Sequence, residues 1–219
     1  MRVLIFGATG MVGQGALREC LLDPRVEGVV TLGRKATGQH HAKLREIIRA
    51  DLFDYGPLEA ELTGFDACLF CLGIASLGMS EADYSRITHD IPLAAAQALL
   101  RQSPRAVFVH VSAAGADSTE KGRVMWARVK GRTENALLRL PFRGVYVLRP
   151  AGIRPMHGIT SRTTLYRAMY KIAAPLLPLL ERTLPRYVTS TERIGKTMLK
   201  LVREGSPKPI LECEDINRL

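Results

Sequence analysis

Residues 2–13 read RVLIFGATGMVG, and this stretch decides the fold class of the chain. An apolar run typical of a buried parallel strand leads straight into three glycines spaced as G-x-x-G-x-x-G. Glycines between a first strand and a first helix permit a tight turn, close approach of backbone N–H groups to a pyrophosphate, and close helix–strand packing. The alternative is a purely structural turn. The predicted phosphate-binding residues are Gly7, Thr9, Gly10, Met11, Val12 and Gly13.

Downstream of this loop, short apolar runs alternate with amphipathic helical patterns. Strands are predicted at residues 2–6, 28–32, 44–49, 66–72, 106–111 and 144–148. Helices are predicted at residues 11–22, 57–62, 81–101 and 124–140. This alternation predicts an α/β fold with a doubly wound parallel sheet, and the continuous apolar runs indicate helices on both faces.

The length of 219 residues is typical of one domain, so residues 1–219 are predicted to form a single unit. The pattern changes after Pro150, and residues 150–219 are predicted to form a small C-terminal substrate or lid region at the carboxyl ends of the strands. Within it, residues 189–192 (TSTE) are typical of a capping box that opens a helix to about residue 203, and residues 209–213 form an edge-strand candidate.

The chain is basic, with 31 Lys and Arg against 21 Asp and Glu, and this balance favours anionic partners. No nucleic-acid-binding motif is present, so nucleic acid is not expected as a partner. Residues 160–186 combine basic and apolar side chains. This segment is interpreted as a surface cap of the domain, with a weak membrane-surface contact, a substrate lid or a homodimer interface as the alternatives.

Cysteine usage and the N-terminus bear on the compartment. No export signal or membrane span is recognisable, which predicts a cytoplasmic protein with four reduced cysteines. Cys68 and Cys71 form a C-x-x-C on a predicted strand, where residues three apart point to opposite faces. They are therefore interpreted as core thiols, and no metal site is expected.

The end of the second predicted strand carries Arg34 and Lys35. NAD-binding proteins usually place an acid there to bind the ribose 2′-hydroxyl, yet no acidic residue occurs from residue 29 to 45. A guanidinium matches the geometry of a 2′-phosphate, so the pattern favours NADP over NAD as the cofactor. The alternative is that Arg34 is an ordinary exposed cation.

Together, the motifs make the sequence similar to the short-chain dehydrogenase/reductase superfamily, in its atypical, epimerase-like branch of NAD(P)-binding proteins (the NAD-dependent epimerase/dehydratase type). The resemblance covers nearly all of the chain and implies a Rossmann fold. The motifs that carry it are Gly7–Gly13, Asp51-Leu52, Cys71-Leu72-Gly73, Val111-Ser112-Ala113, Lys130 and residues 149–153. The cofactor contacts that it implies are Asp51 and Leu52 at the adenine, Cys71, Leu72 and Gly73 along the pyrophosphate and ribose, Lys130 at the nicotinamide ribose, and Pro150 and Ile153 at the nicotinamide.

The resemblance also implies a catalytic Ser–Tyr–Lys set, and this sequence departs from it. Ser112 and Lys130 match, but Trp126 stands four residues before Lys130, where the family has its proton-carrying Tyr. An indole N–H donates a hydrogen bond but does not titrate near neutral pH. Alternatives to the family roles are a simple Lys130–Glu134 pair and a proton carrier in the loop of residues 117–120.

Two functions follow from these residues. The first is an NADP(H)-binding oxidoreductase or epimerase-like protein that acts on an unknown small molecule. The second is a non-catalytic dinucleotide-binding redox sensor or regulatory protein, as the Trp126 replacement suggests.

Overall fold

The structure is a computed structural model that describes residues 1–160 and 183–219. Strands and helices alternate along the chain. The strands of these residues are β1 (Arg2–Phe6), β2 (Gly28–Gly33), β3 (Leu44–Ile48), β4 (Ala67–Phe70), β5 (Val107–Val111), β6 (Gly144–Arg149), β7 (Gly152–Arg154), β8 (Val188–Ser190) and β9 (Ile210–Glu212). The helices are α1 (Met11–Leu22), α2 (Glu81–Ser85), α3 (Ile91–Gln102), α4 (Met125–Leu138), α5 (Thr191–Glu204) and α6 (Cys213–Arg218), with a 3-10 helix at Gly56–Leu62.

Seven of these strands form one parallel sheet in the order β3-β2-β1-β4-β5-β6-β9. The order reverses between β1 and β4, and in doubly wound sheets ligands bind at such a switch point, beyond the carboxyl ends of the strands. The predicted α/β doubly wound fold is confirmed, and β9 is the predicted C-terminal edge strand.

Alternating side chains of β1 divide the core into two layers. Val3 and Ile5 pack into one apolar cluster with α1 and α5, and Leu4 and Phe6 pack into the other with α3. Helices thus cover both faces of the sheet, as the continuous apolar strand pattern predicts.

The helix predicted at residues 81–101 is interrupted. A π-helical turn at Arg86–Asp90 separates α2 from α3, and Pro92 stands in the first turn of α3. Because proline has no N–H, it cannot bond the carbonyl of Thr88. That carbonyl instead accepts a hydrogen bond from the Thr133 hydroxyl of α4 at 3.1 Å.

The C-terminal helix α5 packs tightly against α1. A Cβ on Gly15 would lie 2.6 Å from the Thr191 carbonyl oxygen, and one on Gly195 would lie 3.0 Å from the Gly15 carbonyl oxygen, so both positions require glycine. The predicted capping box at residues 189–192 is wrong in register. Ser190 caps α5 by accepting from the Arg193 N–H at 3.2 Å, which places Glu192 one position too early to complete the box.

Much of the predicted lid falls on residues 161–182, which lie outside the described residues. The interpretations of residues 160–186 as a cap, membrane contact, lid or dimer interface therefore stay predictions, as does the division at residue 150. In the described ranges, no helix is long and apolar enough to span a membrane.

Cys20, Cys68 and Cys71 are free thiols. Cys68 packs into the Leu4 and Phe6 layer, whereas Cys71 packs against the Val3 and Ile5 layer. The two thiols therefore face opposite sides of the sheet, as expected for residues three apart on a strand. Burial raises the pKa of Cys71 to about 12, so this thiol is not a reactive thiolate near neutral pH.

Candidate functional site

A cleft of about 450 Å³ opens at the carboxyl ends of β1, β2 and β4, at the switch point of the sheet. We call this cleft the phosphate half of the site. Predicted cofactor contacts make up most of its walls. The lining residues are Gly7, Ala8, Thr9, Gly10, Thr31, Leu32, Gly33, Arg34, Lys35, Thr37, Leu52, Cys71, Leu72 and Gly73.

The three loop glycines have three separate geometric roles. Gly7 has φ +74°, and a Cβ there would lie 2.6 Å from the Leu72 nitrogen. A Cβ on Gly13 would lie 2.1 Å from the Gly7 carbonyl oxygen, so helix α1 can approach the turn only without a side chain. A Cβ on Gly10 would meet only that same oxygen, at 3.3 Å. The side of Gly10 that faces the cleft is therefore open backbone.

The N-terminus of α1 is left open to a ligand. Its N-cap is Gly10, which has no capping side chain, and its first turn contains no acidic residue. The N–H groups of Met11, Val12 and Gly13 precede the first residue that can bond within the helix, so they have no intrahelical acceptor. Their donors and the positive end of the helix dipole suit a pyrophosphate, and the arrangement fits the group that the glycine loop predicts.

At the opposite wall, Arg34 and Lys35 follow the end of β2 and line the cleft. Both side chains are exposed, and neither forms a hydrogen bond or ion pair with another residue in the described part of the chain. Two cations beside the loop that would hold a pyrophosphate leave this wall suited to a further anionic group.

An acidic residue that the sequence reasoning missed lies behind this wall. Glu46 of β3 stands opposite Thr31 in the β2–β3 register. Its carboxylate oxygen Oε2 accepts hydrogen bonds from the Thr31 hydroxyl at 3.2 Å and from the Thr37 backbone N–H at 2.8 Å. The carboxylate is thus bonded to two residues that line the cleft.

Beyond β4 lies a second group of predicted residues, on β5, α4 and β6. We call Ser112, Trp126, Lys130, Glu134 and Arg149 the reaction half. The Ser112 hydroxyl donates to the Oε1 atom of Glu134. The Arg149 guanidinium donates to the same carboxylate, with its Nε atom 3.2 Å from Oε1 and 3.1 Å from Oε2.

This buried network extends to the C-terminal elements. Arg149 also donates to the Ser118 hydroxyl at 2.6 Å and to the Glu212 carboxylate at 3.0 Å. Glu134 is fully buried, and Ser112 and Arg149 are nearly so. Because the proton of Ser112 is directed at Glu134, the serine presents acceptor lone pairs to any other ligand.

Lys130 forms no ion pair with Glu134. The Glu134 carboxylate is paired with Arg149 instead. Burial lowers the pKa of Lys130, and the Glu134 charge opposes this shift. Nearby His110 is buried with no hydrogen-bond partner for either ring nitrogen among the described residues. Burial, and then the Lys130 charge, lowers the pKa of His110 to about 3, so this imidazole is neutral at working pH.

The Trp126 indole packs against the loop that follows Ser112. Its Cη2 atom lies 3.3 Å from the position that a Cβ on Gly115 would take. This distance places the indole against Gly115 of that loop, and Trp126 lies four residues before Lys130 on α4, where the family resemblance predicts a tyrosine.

Asp117 and Glu120, the two acids of that loop, accept hydrogen bonds from the loop itself and from α4. Asp117 accepts hydrogen bonds from the Thr119 hydroxyl and N–H and from the Gly122 N–H, and the Thr119 hydroxyl is the main cause of its lowered pKa. Glu120 accepts from the Asn135 amide at 2.7 Å. The loop therefore offers no proton carrier that is free of these bonds.

The family comparison accords with this geometry. Residues 3–123 match the model of the NAD dependent epimerase/dehydratase family. The chain belongs to this family. Membership of this family indicates a nicotinamide dinucleotide as the cofactor of the cleft.

The chain is similar in sequence to part of several fungal proteins. The chain is 31% identical over 155 residues to the mitochondrial protein fmp52 of Emericella nidulans, covering 68% of this chain and 65% of that one. It is 32% identical over 152 residues to FMP52 of Eremothecium gossypii, with the same coverage of both chains. The chain thus spans just under two thirds of the length of these relatives.

Solved structures share the fold. A short chain dehydrogenase family protein from Francisella tularensis superposes with a TM-score of 0.65 at 16% identity, over 94% of this chain and 92% of that one. The Bordetella bronchiseptica enzyme WbmG, solved in complex with NAD, gives a TM-score of 0.68 at 15% identity, over 100% of this chain and 76% of that one. At these identities the likeness establishes the architecture.

The names of the fungal relatives correct one prediction. Each of the two proteins above is named as mitochondrial. This finding contradicts the predicted cytoplasmic location. The prediction rested on the missing secretory signal, and mitochondrial targeting depends on a different kind of segment.

The predicted cofactor contacts divide into those on the cleft and those away from it. Asp51 is exposed, and its carboxylate accepts from the Phe53 N–H at 2.7 Å, so only Leu52 of that pair lines the cleft. The Pro150 carbonyl accepts from the Ala114 N–H at 3.0 Å, and Ile153 packs against the core. The predicted residues that do not line the cleft are Met11, Val12, Gly13, Asp51, Ser112, Trp126, Lys130, Pro150 and Ile153.

Proposed function

We propose that the protein is an NADP(H)-binding oxidoreductase or epimerase-like member of its family, acting on a small molecule. The observation that carries the preference for NADP is the pair Arg34 and Lys35 on the cleft wall, with no carboxylate at the end of β2. A 2′-phosphate brings negative charge to this wall, where a guanidinium offers parallel donors in a matching geometry.

The chain's own groups have distinct tasks in this proposal. The glycine loop and the first turn of α1 hold the pyrophosphate, Leu52 lies at the adenine, and Cys71–Gly73 follow the ribose and phosphates. Lys130 holds the nicotinamide ribose, near Pro150 and Ile153. When bound, the dinucleotide supplies or accepts hydride. The Lys130 ammonium, which is only partly exposed and bonds no described residue, is suited to donate to ribose hydroxyls.

Calorimetric titration with NADP⁺ and NAD⁺ tests the proposal. The wild type is expected to bind NADP⁺ more tightly, and Arg34→Ala to weaken NADP⁺ binding roughly tenfold or more while NAD⁺ binding changes little. Arg105→Ala is the matched control, because Arg105 is exposed and does not line the cleft. Equal wild-type affinity for NAD⁺ and NADP⁺ would show that the assignment of Arg34 is wrong.

A second candidate function is a non-catalytic NADP(H)-responsive sensor or regulatory protein. Trp126 occupies the proton-carrier position, and the proton of Ser112 is directed to Glu134 rather than to a substrate oxygen. Of the acids in the neighbouring loop, Asp117 bonds Thr119 of the same loop and Glu120 bonds Asn135 of α4. This candidate predicts tight cofactor binding without turnover, whereas the enzyme predicts both.

A further inference from the structure

Glu46 ties the segment that carries Arg34 and Lys35 to the sheet. Its side chain is half-buried between β2 and the returning loop. The same oxygen accepts from the Thr31 hydroxyl, three residues before Arg34, and from the Thr37 N–H, two residues after Lys35. The two donors therefore bracket the two cations on the chain.

Little else in the described structure fixes this segment. The main chain at the end of β2 is tied by the Gly33 carbonyl, which accepts from the Arg49 N–H at 2.9 Å. Arg34 and Lys35 are exposed, and they bond no other described residue. Because Thr37 lies on the cleft wall, releasing it frees the main chain that aims both cations at the cleft.

We propose that Glu46 is a positioning residue for cofactor specificity, which holds residues 34–37 in the conformation that presents Arg34 and Lys35 to a 2′-phosphate. The inference rests on the proposed NADP(H) function. Its acceptor oxygen, rather than its charge, performs the task, because both of its partners are neutral donors. A glutamine keeps such an oxygen and an alanine does not.

Three variants separate these properties in a calorimetric titration with NADP⁺ and NAD⁺. Glu46→Ala is expected to weaken NADP⁺ binding roughly five- to tenfold and to leave NAD⁺ affinity within about twofold. Glu46→Gln is expected to bind NADP⁺ at least as well as the wild type, because it keeps an acceptor and removes a negative charge near the phosphate. Glu204→Ala, an exposed acid on α5, is the matched control and is expected to change neither affinity.

Hydrogen exchange supplies a readout that needs no cofactor. In the cofactor-free protein, the Thr37 amide is expected to exchange faster in Glu46→Ala than in the wild type, and to stay protected in Glu46→Gln. A thermal melt of each variant establishes that it is folded. If Glu46→Ala is unstable, Thr31→Val, which removes one of the two donors without changing side-chain shape, is expected to show the same direction with a smaller effect.

The outcomes separate the inference from the function it rests on. A wild type that prefers NADP⁺, with Arg34→Ala impaired and Glu46→Ala unaffected, overturns the positioning role and leaves the proposed function intact. A wild type without preference for NADP⁺ overturns both. If Glu46→Ala and Glu46→Gln both lose NAD⁺ affinity and gain NADP⁺ affinity, Glu46 binds a ribose hydroxyl directly, and the proposed role is wrong.

Discussion

The two halves of the site differ in what their polar groups are bonded to. In the phosphate half, the first-turn N–H groups of α1 and the side chains of Arg34 and Lys35 have no partner among the described residues. In the reaction half, Ser112, Glu134 and Arg149 are bonded to one another. The phosphate half leaves its polar groups open to a ligand, whereas in the reaction half three polar side chains bond one another and Lys130 bonds no described residue.

This difference separates cofactor binding from chemistry. A helix N-terminus and free cations suit a phosphorylated cofactor without any help from the reaction half. Proton transfer needs a titratable group at the reacting atom, and Trp126 removes the one that the family uses. On the proposed function, the chain binds the dinucleotide through the phosphate half and lacks a titratable side chain at position 126.

The largest expected effect comes from breaking the reaction-half network. Glu134→Ala leaves the Arg149 guanidinium buried with its main partner removed, and the expected loss in free energy of unfolding is about 3–5 kcal/mol. Chemical denaturation measures this loss. Glu134→Gln, which keeps acceptor oxygen for both neighbours, is the control and is expected to lose less. A loss below about 1 kcal/mol in Glu134→Ala would contradict the structural role of the network.

Next in size is the effect of a side chain in the phosphate half. Gly10→Val is expected to lower dinucleotide affinity by roughly 100-fold or more, because its side chain points into the open cleft. The fold should survive, since Gly10 has φ −81° and ψ 166°, which valine adopts readily. Calorimetry together with circular dichroism tests both statements.

Gly13→Val is the comparison variant for Gly10→Val. Its Cβ would lie 2.1 Å from a backbone oxygen, so it is expected to unfold the protein rather than to block the cleft alone. A folded Gly10→Val protein that binds the cofactor normally would contradict the assignment of the loop to phosphate binding.

The smallest effect concerns a charged cluster at the start of α5. Glu192 bonds Lys196 and also His157, at 2.6 Å from the imidazole, and these two lower its pKa to about 2. Because the folded-state pKa is below the ordinary value, this stabilisation is present above about pH 4.5 and is lost as the pH falls toward 2.

Glu192→Gln measures that contribution. At pH 7 the variant is expected to lose less than about 1 kcal/mol, because the cluster lies near the surface and is screened by solvent. Urea denaturation at pH 7 and at pH 3 gives the two values, and the difference from wild type should shrink at the lower pH. A difference in the free energy of unfolding that grows as the pH falls would contradict the lowered pKa of Glu192.

Nine of the predicted cofactor contacts line the phosphate half, and the sequence signals for most of them are local. The glycines, the strand before them and the helix after them adjoin in the chain, and Arg34 follows directly from β2. The sequence does not indicate that Glu46 lies behind the cleft wall, because its pairing with Thr31 is set by the register between β2 and β3. Glu46 directly follows the stretch of residues 29–45, which contains no acid, and lies 12 residues beyond Arg34 in the chain.

The reaction half depended on contacts that cross the fold. The i, i+4 spacing indicates Lys130 as a partner of Glu134, whereas the structure pairs Glu134 with Arg149 on β6. In the sequence, Arg149 is the first residue of the family motif at residues 149–153, and that motif does not indicate a buried ion pair. The π-helical turn did have a local signal, since Pro92 lies inside the helix predicted at residues 81–101.

The most direct test of the account is NADPH oxidation with a panel of carbonyl compounds, comparing the wild type with Trp126→Tyr and Trp126→Phe. The account predicts slow or absent turnover in the wild type and in Trp126→Phe. It predicts a gain in Trp126→Tyr, because a phenol one helical turn from the Lys130 ammonium restores a titratable group at the family position. Robust wild-type turnover that survives Trp126→Phe would contradict it, because another residue would then carry the proton.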